Sequence, residues 1–160
     1  MASSALARLR RVLHDRNLTA FIIPTDDAHL SEYPATCDAR REYVSGFTGS
    51  AGTAVVTADQ VCALVVCIGP AHGQCAPSIR RGIPQALLWT DGRYWLQAAR
   101  QLSDDWTVVK DRLPETPSIP CWLVSNLSAD AKVGIDATTM SFDEVCTGRA
   151  CWYGTQLAWL

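Results

Sequence analysis

A chain of 160 residues that is 48% hydrophobic has the length and apolar content for one domain with a proper core, and too little of both for two. Its 14 basic and 16 acidic residues leave a net charge of −2, which excludes the broad basic field that nucleic acid phosphates or an anionic membrane would require. No run of about 18 apolar residues occurs, and the start Met1-Ala-Ser-Ser-Ala-Leu lacks the basic stretch and apolar core of a secretory signal. Seven cysteines, an odd number without such a signal, read as reduced thiols and not as a disulfide framework. The expectation is a soluble cytoplasmic protein with no nucleic acid and no membrane as partner, in which the Asn-X-Ser/Thr patterns at Asn17 and Asn126 arise by chance.

In chain order, Leu6, Leu9, Val12 and Leu13 fall on one face of a helix spanning 3–16, with Arg8, Arg10, Arg11 and Asp15 turned to water. Asn17 stands where the helix stops, and Thr19-Ala-Phe-Ile-Ile23, closed by Pro24, suits a buried strand. Residues 24–52 are rich in Asp, Ser, Pro, Thr and Gly, which predicts an ordered loop-rich segment with a short helix at 38–44. Strand character returns at Thr53-Ala-Val-Val-Thr57. Val61 to Ile68 is apolar, and 69–85, with no regular period, reads as a surface excursion. A strand over Ala86–Trp89 leads through Asp91-Gly92 into a helix over 93–102, then a strand over 106–110. The cluster of Pro114, Pro117 and Pro120 marks a loop before a helix at 120–126, and Lys132-Val-Gly-Ile135 is the last expected strand. This alternation predicts an α/β fold: a mixed β-sheet flanked by helices.

Several patterns invite a chemical assignment. Gly46, Gly49 and Gly52 are spaced G-x-x-G-x-x-G and run into a strand, whereas the dinucleotide fingerprint needs G-x-G-x-x-G between a strand and a helix, so these glycines read as a structural turn. Cys62, Cys67, His72 and Cys75 offer soft ligands without the paired spacing of a zinc site, and read as buried or tolerated thiols. Cys37 with His29, aided by Arg40 or Arg41, sketches a thiol nucleophile with nothing to orient the base. Asp26, Asp27, Glu32 and Asp38 fit turns and caps better than acid/base pairs. No catalytic residue and no metal ligand is assigned to this chain.

Three segments together resemble one family: Ile22-Ile-Pro-Thr-Asp-Asp-Ala-His29 with Ser31-Glu-Tyr33, Arg40-Arg-Glu-Tyr-Val-Ser-Gly-Phe-Thr-Gly-Ser-Ala-Gly-Thr53, and Leu88-Trp-Thr-Asp-Gly-Arg-Tyr94 with Gln97-Ala-Ala99. They are similar to the first domain of eukaryotic cytosolic-type Xaa-Pro aminopeptidases, with weaker likeness running on through Trp106, Trp122 and Val133-Gly-Ile-Asp136. The resemblance implies a creatinase/aminopeptidase-P N-terminal domain preceding a separate C-terminal metallopeptidase domain. That hydrolase removes the N-terminal residue before proline and holds two Mn²⁺ or related divalent ions through Asp, His and Glu ligands, none of which can be matched here. The implied partners are that catalytic domain, a peptide with proline second, and a second copy in a homodimer. This chain by itself is expected to be inactive.

Arg93 is the one residue to which the resemblance gives a substrate-binding role, through contact with the bound peptide across the domain boundary. The alternative is that Arg93 caps its turn or pairs with Asp91. Trp89, Tyr94 and Trp95 read as packing residues. Two departures from the family pattern divide the chain into a domain at 1–145, carrying an insertion at about 61–85, and a divergent tail at 146–160 rich in Cys, Trp and Tyr. A stand-alone interaction or pseudo-domain without peptidase activity is the alternative function.

Overall fold

A computed structural model describes residues 4–60, 84–140 and 156–159. The element order is α1 (Ala5–Asp15), β1 (Ala20–Ile23), a 3₁₀ turn (Thr36–Asp38), α2 (Arg40–Ser45), β2 (Thr53–Gln60), β3 (Pro84–Thr90), α3 (Trp95–Gln101), β4 (Thr107–Lys110), α4 (Ile119–Asn126), β5 (Lys132–Ile135) and β6 (Gln156–Trp159). The strands form one mixed sheet in the order β4-β3-β2-β1-β5-β6. The pairs β1–β2 and β2–β3 are antiparallel, and the three outer pairings are parallel. This is the α/β fold that the element order predicts.

Local chemistry sets the boundaries. Ser4 caps α1 by accepting from the Ala7 N–H at 3.2 Å, and the helix ends where Asn17 turns left-handed at φ 53°. Leu6 and Leu13 are buried under α1, but Val12 is 45% exposed, which corrects its expected place on the apolar face. At 100° per residue, Val12 lies about 120° from Leu6. Ser118 caps α4 with Pro120 in its first turn.

The central strands are buried on both sides, so each carries apolar residues without alternation. Ala20, Ile22, Val55, Leu87, Trp89, Val133 and Ile135 pack on Trp122 and Leu123 of α4, where the Trp89 and Trp122 rings meet edge to face at 5.9 Å. On the other face, Ala54, Val56, Ala86 and Leu88 pack with Leu6, Leu13, Phe47, Ala98 and Trp106. The helices therefore divide, α4 to one side and α1, α2 and α3 to the other.

Three boundaries differ from expectation. Pro84 and Gln85 belong to β3, because the Gln85 N–H donates to Thr57 Oγ1 at 2.7 Å and pairing with β2 reaches Gln60 across an irregular register. The helix after β3 begins at Trp95, leaving Arg93 and Tyr94 in the preceding turn. In the tail, where no element is expected, β6 extends the sheet in parallel to β5. The four candidate ligands Cys62, Cys67, His72 and Cys75 lie outside the described residues.

Leu87 is fully buried between β2 and α4. Replacing it with Ala removes its packing and leaves a cavity, so Leu87→Ala is expected to lower the unfolding free energy in urea by about 2–5 kcal/mol.

Candidate functional site

The three segments that carry the family resemblance converge at the end of the sheet where β1 leaves and β3 ends. Arg41, on α2, is 5% exposed and extends its guanidinium across the loop of residues 46–52. It donates to Thr25 Oγ1, to the Gly49 carbonyl and, at 3.1 Å, to the Gly52 carbonyl. The ring of Phe47 covers the guanidinium at 4.9 Å, and no carboxylate pairs with it among the described residues. Burial accordingly lowers the pKa of Arg41 from its ordinary value.

The glycine loop is thus a structural turn. Gly46 takes φ 75° to end α2, and Gly52 takes φ 155° where an added Cβ would sit 2.8 Å from the Trp89 carbonyl. On its far side the loop is tied to the third segment. Thr90 Oγ1 donates to the Ala51 carbonyl at 2.7 Å, and Ser50 and Tyr94 share a hydroxyl–hydroxyl bond of 2.5 Å. Gln97 and Gln101 both donate to Thr48 Oγ1 from α3.

Arg93 stands at the rim of this framework. Asp91, at the end of β3, accepts the Arg93 backbone N–H and Nε on Oδ1, both at 3.0 Å, and Nη2 on Oδ2 at 2.8 Å. The Asp91 side chain is 12% exposed and that of Arg93 69%, so the carboxylate lies beneath and the guanidinium faces outward. The Arg93 guanidinium also lies 5.2 Å from the Tyr94 ring centroid. Hydrogen bonding from Arg93 holds the Asp91 carboxyl down to about 2. The turn pairing set against the substrate role is therefore present, and it leaves an outward donor edge.

The neighbouring aromatics are packing residues. Trp89 is buried, Tyr94 meets Phe47 edge to face at 6.1 Å, and Trp95 donates from Nε1 to the Thr90 carbonyl at 2.8 Å. The Cys37 and His29 pairing is not formed. Cys37 Sγ contacts Asp38 Oδ2 at 3.5 Å, Arg40 pairs with Asp38 and Asp136, and Arg41 is committed to the loop. Asp27 serves a turn, accepting the His29 and Ser31 N–H groups at 2.9 Å. Sequence reasoning missed Arg41 as the organiser of the site. Its signal was an arginine in a short helix directly before a glycine-rich turn, where a buried cation finds carbonyl acceptors.

A cleft of about 340 Å³ is lined by Asp91, Asp111 and Arg112. A more apolar cavity of about 340 Å³, lined by Leu9, Phe21, Tyr43 and Val44, lies away from Arg93. Among the described residues no group of three or more His, Cys, Asp or Glu side chains is placed to hold a metal ion, and no helix is long and apolar enough to cross a membrane.

A family model for the Creatinase/Prolidase N-terminal domain matches residues 6–147. The chain belongs to this family. It is 42% identical over 139 residues to Xaa-Pro aminopeptidase 1 of Dictyostelium discoideum, a match that covers 87% of this chain and 18% of the relative. It is 43% identical over 125 residues to Xaa-Pro aminopeptidase ApepP of Drosophila melanogaster, covering 78% and 16%. The chain thus spans less than a fifth of the length of these curated relatives. Among solved structures, X-prolyl aminopeptidase from Caenorhabditis elegans, described as a cytosolic enzyme with a di-nuclear active site, superposes with a TM-score of 0.77 at 31% identity, over 98% of this chain and 23% of that one. The N-terminal domain of cytoplasmic peptidase PepQ from Mycobacterium tuberculosis shares the fold at a TM-score of 0.59 and 23% identity, over 98% and 92%.

Two outcomes follow from the site's geometry. Arg41→Met strips the donor from two carbonyls and the half-buried Thr25 hydroxyl, and is expected to lower stability by about 2–4 kcal/mol in denaturant unfolding. The Asp91 carboxyl should titrate near about 2 by NMR and move up toward its ordinary 3.8 in Arg93→Gln. Because the folded-state value is depressed, the pair's stabilisation is complete above the ordinary value and is lost as pH falls toward 2.

Proposed function

We propose that this chain is the non-catalytic N-terminal domain of a Xaa-Pro aminopeptidase, shaping the substrate channel of a separate catalytic domain and supplying surface for a homodimer. The observation that carries the proposal is its 42% identity over 139 residues to a Xaa-Pro aminopeptidase. Within it, residues 1–145 carry the domain, with an insertion at about 61–85 whose last two residues open β3, and 146–160 a divergent tail whose β6 adds an edge strand to the same sheet. The protein works in the cytoplasm, in keeping with the worm relative described as cytosolic.

The chemistry of peptide hydrolysis in such an enzyme belongs to the catalytic domain, where paired divalent metal ions polarise the scissile carbonyl and activate water. The part given to this chain is positioning. The outward edge of Arg93 donates to the peptide, Asp91 fixes the guanidinium plane, and the Tyr94 ring, held by Ser50, supports it. Placement of a substrate by such remote contacts feeds into the rate of the reacting centre.

The test is a chimera in which residues 1–145 of this chain replace the matched segment of the Dictyostelium enzyme. The chimera is expected to release the N-terminal residue from Xaa-Pro peptides, and Arg93→Ala to lower kcat/KM by about tenfold to a hundredfold, the value of hydrogen bonds from a charged donor. The 160-residue chain alone, supplied with Mn²⁺, is expected to show no hydrolysis above background. Cleavage by the isolated chain would sink the accessory role.

A further inference from the structure

Resting on Arg93 as the peptide contact proposed above, we infer that the Asp91–Arg93 pair is a charge-neutral donor that takes a backbone carbonyl of the peptide in preference to a free carboxylate, with Asp91 as the positioning residue that sets this choice.

A guanidinium carries five N–H groups in a planar fork. Asp91 consumes two of them, Nε–H at 3.0 Å and one Nη2–H at 2.8 Å. Of the other three, one on Nη2 and one on Nη1 form the end edge of the fork and the third lies on the side of Nη1 away from the carboxylate, and no described residue accepts from them. The Tyr94 ring beneath the guanidinium and the Asx turn closed by the Arg93 backbone N–H fix the direction of that edge. A donor edge of this kind serves either a single carbonyl oxygen or both oxygens of a carboxylate.

Charge decides between them. The Asp91 carboxylate, in contact with Arg93, offsets its unit charge, and the other ionisable groups lining the adjoining cleft, Asp111 and Arg112, are opposite in sign and add no net formal charge. A ligand carboxylate would lose water without gaining attraction to a net positive site, and would face the Asp91 charge through the guanidinium. A peptide carbonyl sheds less hydration and still receives a hydrogen bond from a charged donor. Asp91 is held ionised well below neutrality, so the preference is constant over about pH 5–8. The ligand class is a peptide that continues past the residue contacting Arg93, or one whose C-terminus is amidated.

The experiment uses the chimeric enzyme and pairs of Xaa-Pro peptides identical but for a C-terminal acid or amide, chosen so that the terminus reaches Arg93. Wild-type kcat/KM for the two is expected to agree within about twofold. Asp91→Asn keeps the Oδ1 acceptor and removes the charge, and should favour the acid by about fourfold, the factor for one unit charge about 5 Å away in water. A wild-type acid preference above about fivefold, or an acid-to-amide ratio unmoved by Asp91→Asn, overturns the inference. A second measurement on the 160-residue chain follows the Arg93 side-chain nitrogens by NMR with acetate and N-methylacetamide at equal ionic strength. An acetate preference in the wild type counts against the inference even where the chimera is inactive. Failure of the underlying assignment looks different: Arg93→Ala would then leave kcat/KM unchanged for acid and amide alike.

Discussion

A buried cation that forms no ion pair with a carboxylate among the described residues organises this domain. Dehydrating the Arg41 guanidinium costs several kcal/mol, and the structure offsets this with the Gly49 and Gly52 carbonyls, the Thr25 hydroxyl and the face of Phe47. Every one of those groups lies in a segment without regular structure, where the guanidinium donates to the three oxygens and Thr25 Oγ1 donates in turn to the Gly52 carbonyl. The loop between α2 and β2 is therefore part of the core, not a connection draped over it.

Ordering that loop has consequences at the sheet. With its carbonyls turned toward Arg41, residues 48–51 present Thr48, Ser50 and the Ala51 carbonyl to α3 and β3, and these hold Gln97, Gln101, Tyr94 and Thr90. The turn bearing Arg93 thus inherits its position from an arginine 52 residues earlier in the chain. The two arginines differ in what surrounds them. Arg41 is dry and faces neutral acceptors, which suits a permanent structural cation; Arg93 is wet, meets a carboxylate on one edge and keeps the other open. Only the second arrangement suits a group that must exchange water for a ligand.

Much of the architecture was legible from patterning. The apolar runs at 19–23, 53–57, 86–89 and 132–135 are strands because β-branched and aliphatic residues bounded by Pro, Gly and Asp have no better use, and the amphipathic spacing before Asn17 gives α1. Patterning failed at two local details and at two places where neighbours in space decided. Val12 lies off the buried stripe by helical geometry, and Arg93 is withheld from α3 by the Asp91 turn. Pro84 and Gln85 are drawn into β3 by Thr57, and β6 forms in a segment whose composition announces no strand.

For the site, the residues themselves announced the family: the ordered Trp-Thr-Asp-Gly-Arg-Tyr run and the glycine loop are specific enough as words. The sequence alone fixed the fold class, the absence of a basic surface field, and Asp91 as a possible partner for Arg93, because these depend on local spacing and composition. Only the tertiary structure decided that Cys37 and His29 do not meet, that Arg41 is buried, and which edge of Arg93 faces outward. Those outcomes turn on hydrogen bonds and burial between segments tens of residues apart, and a linear pattern holds no distance.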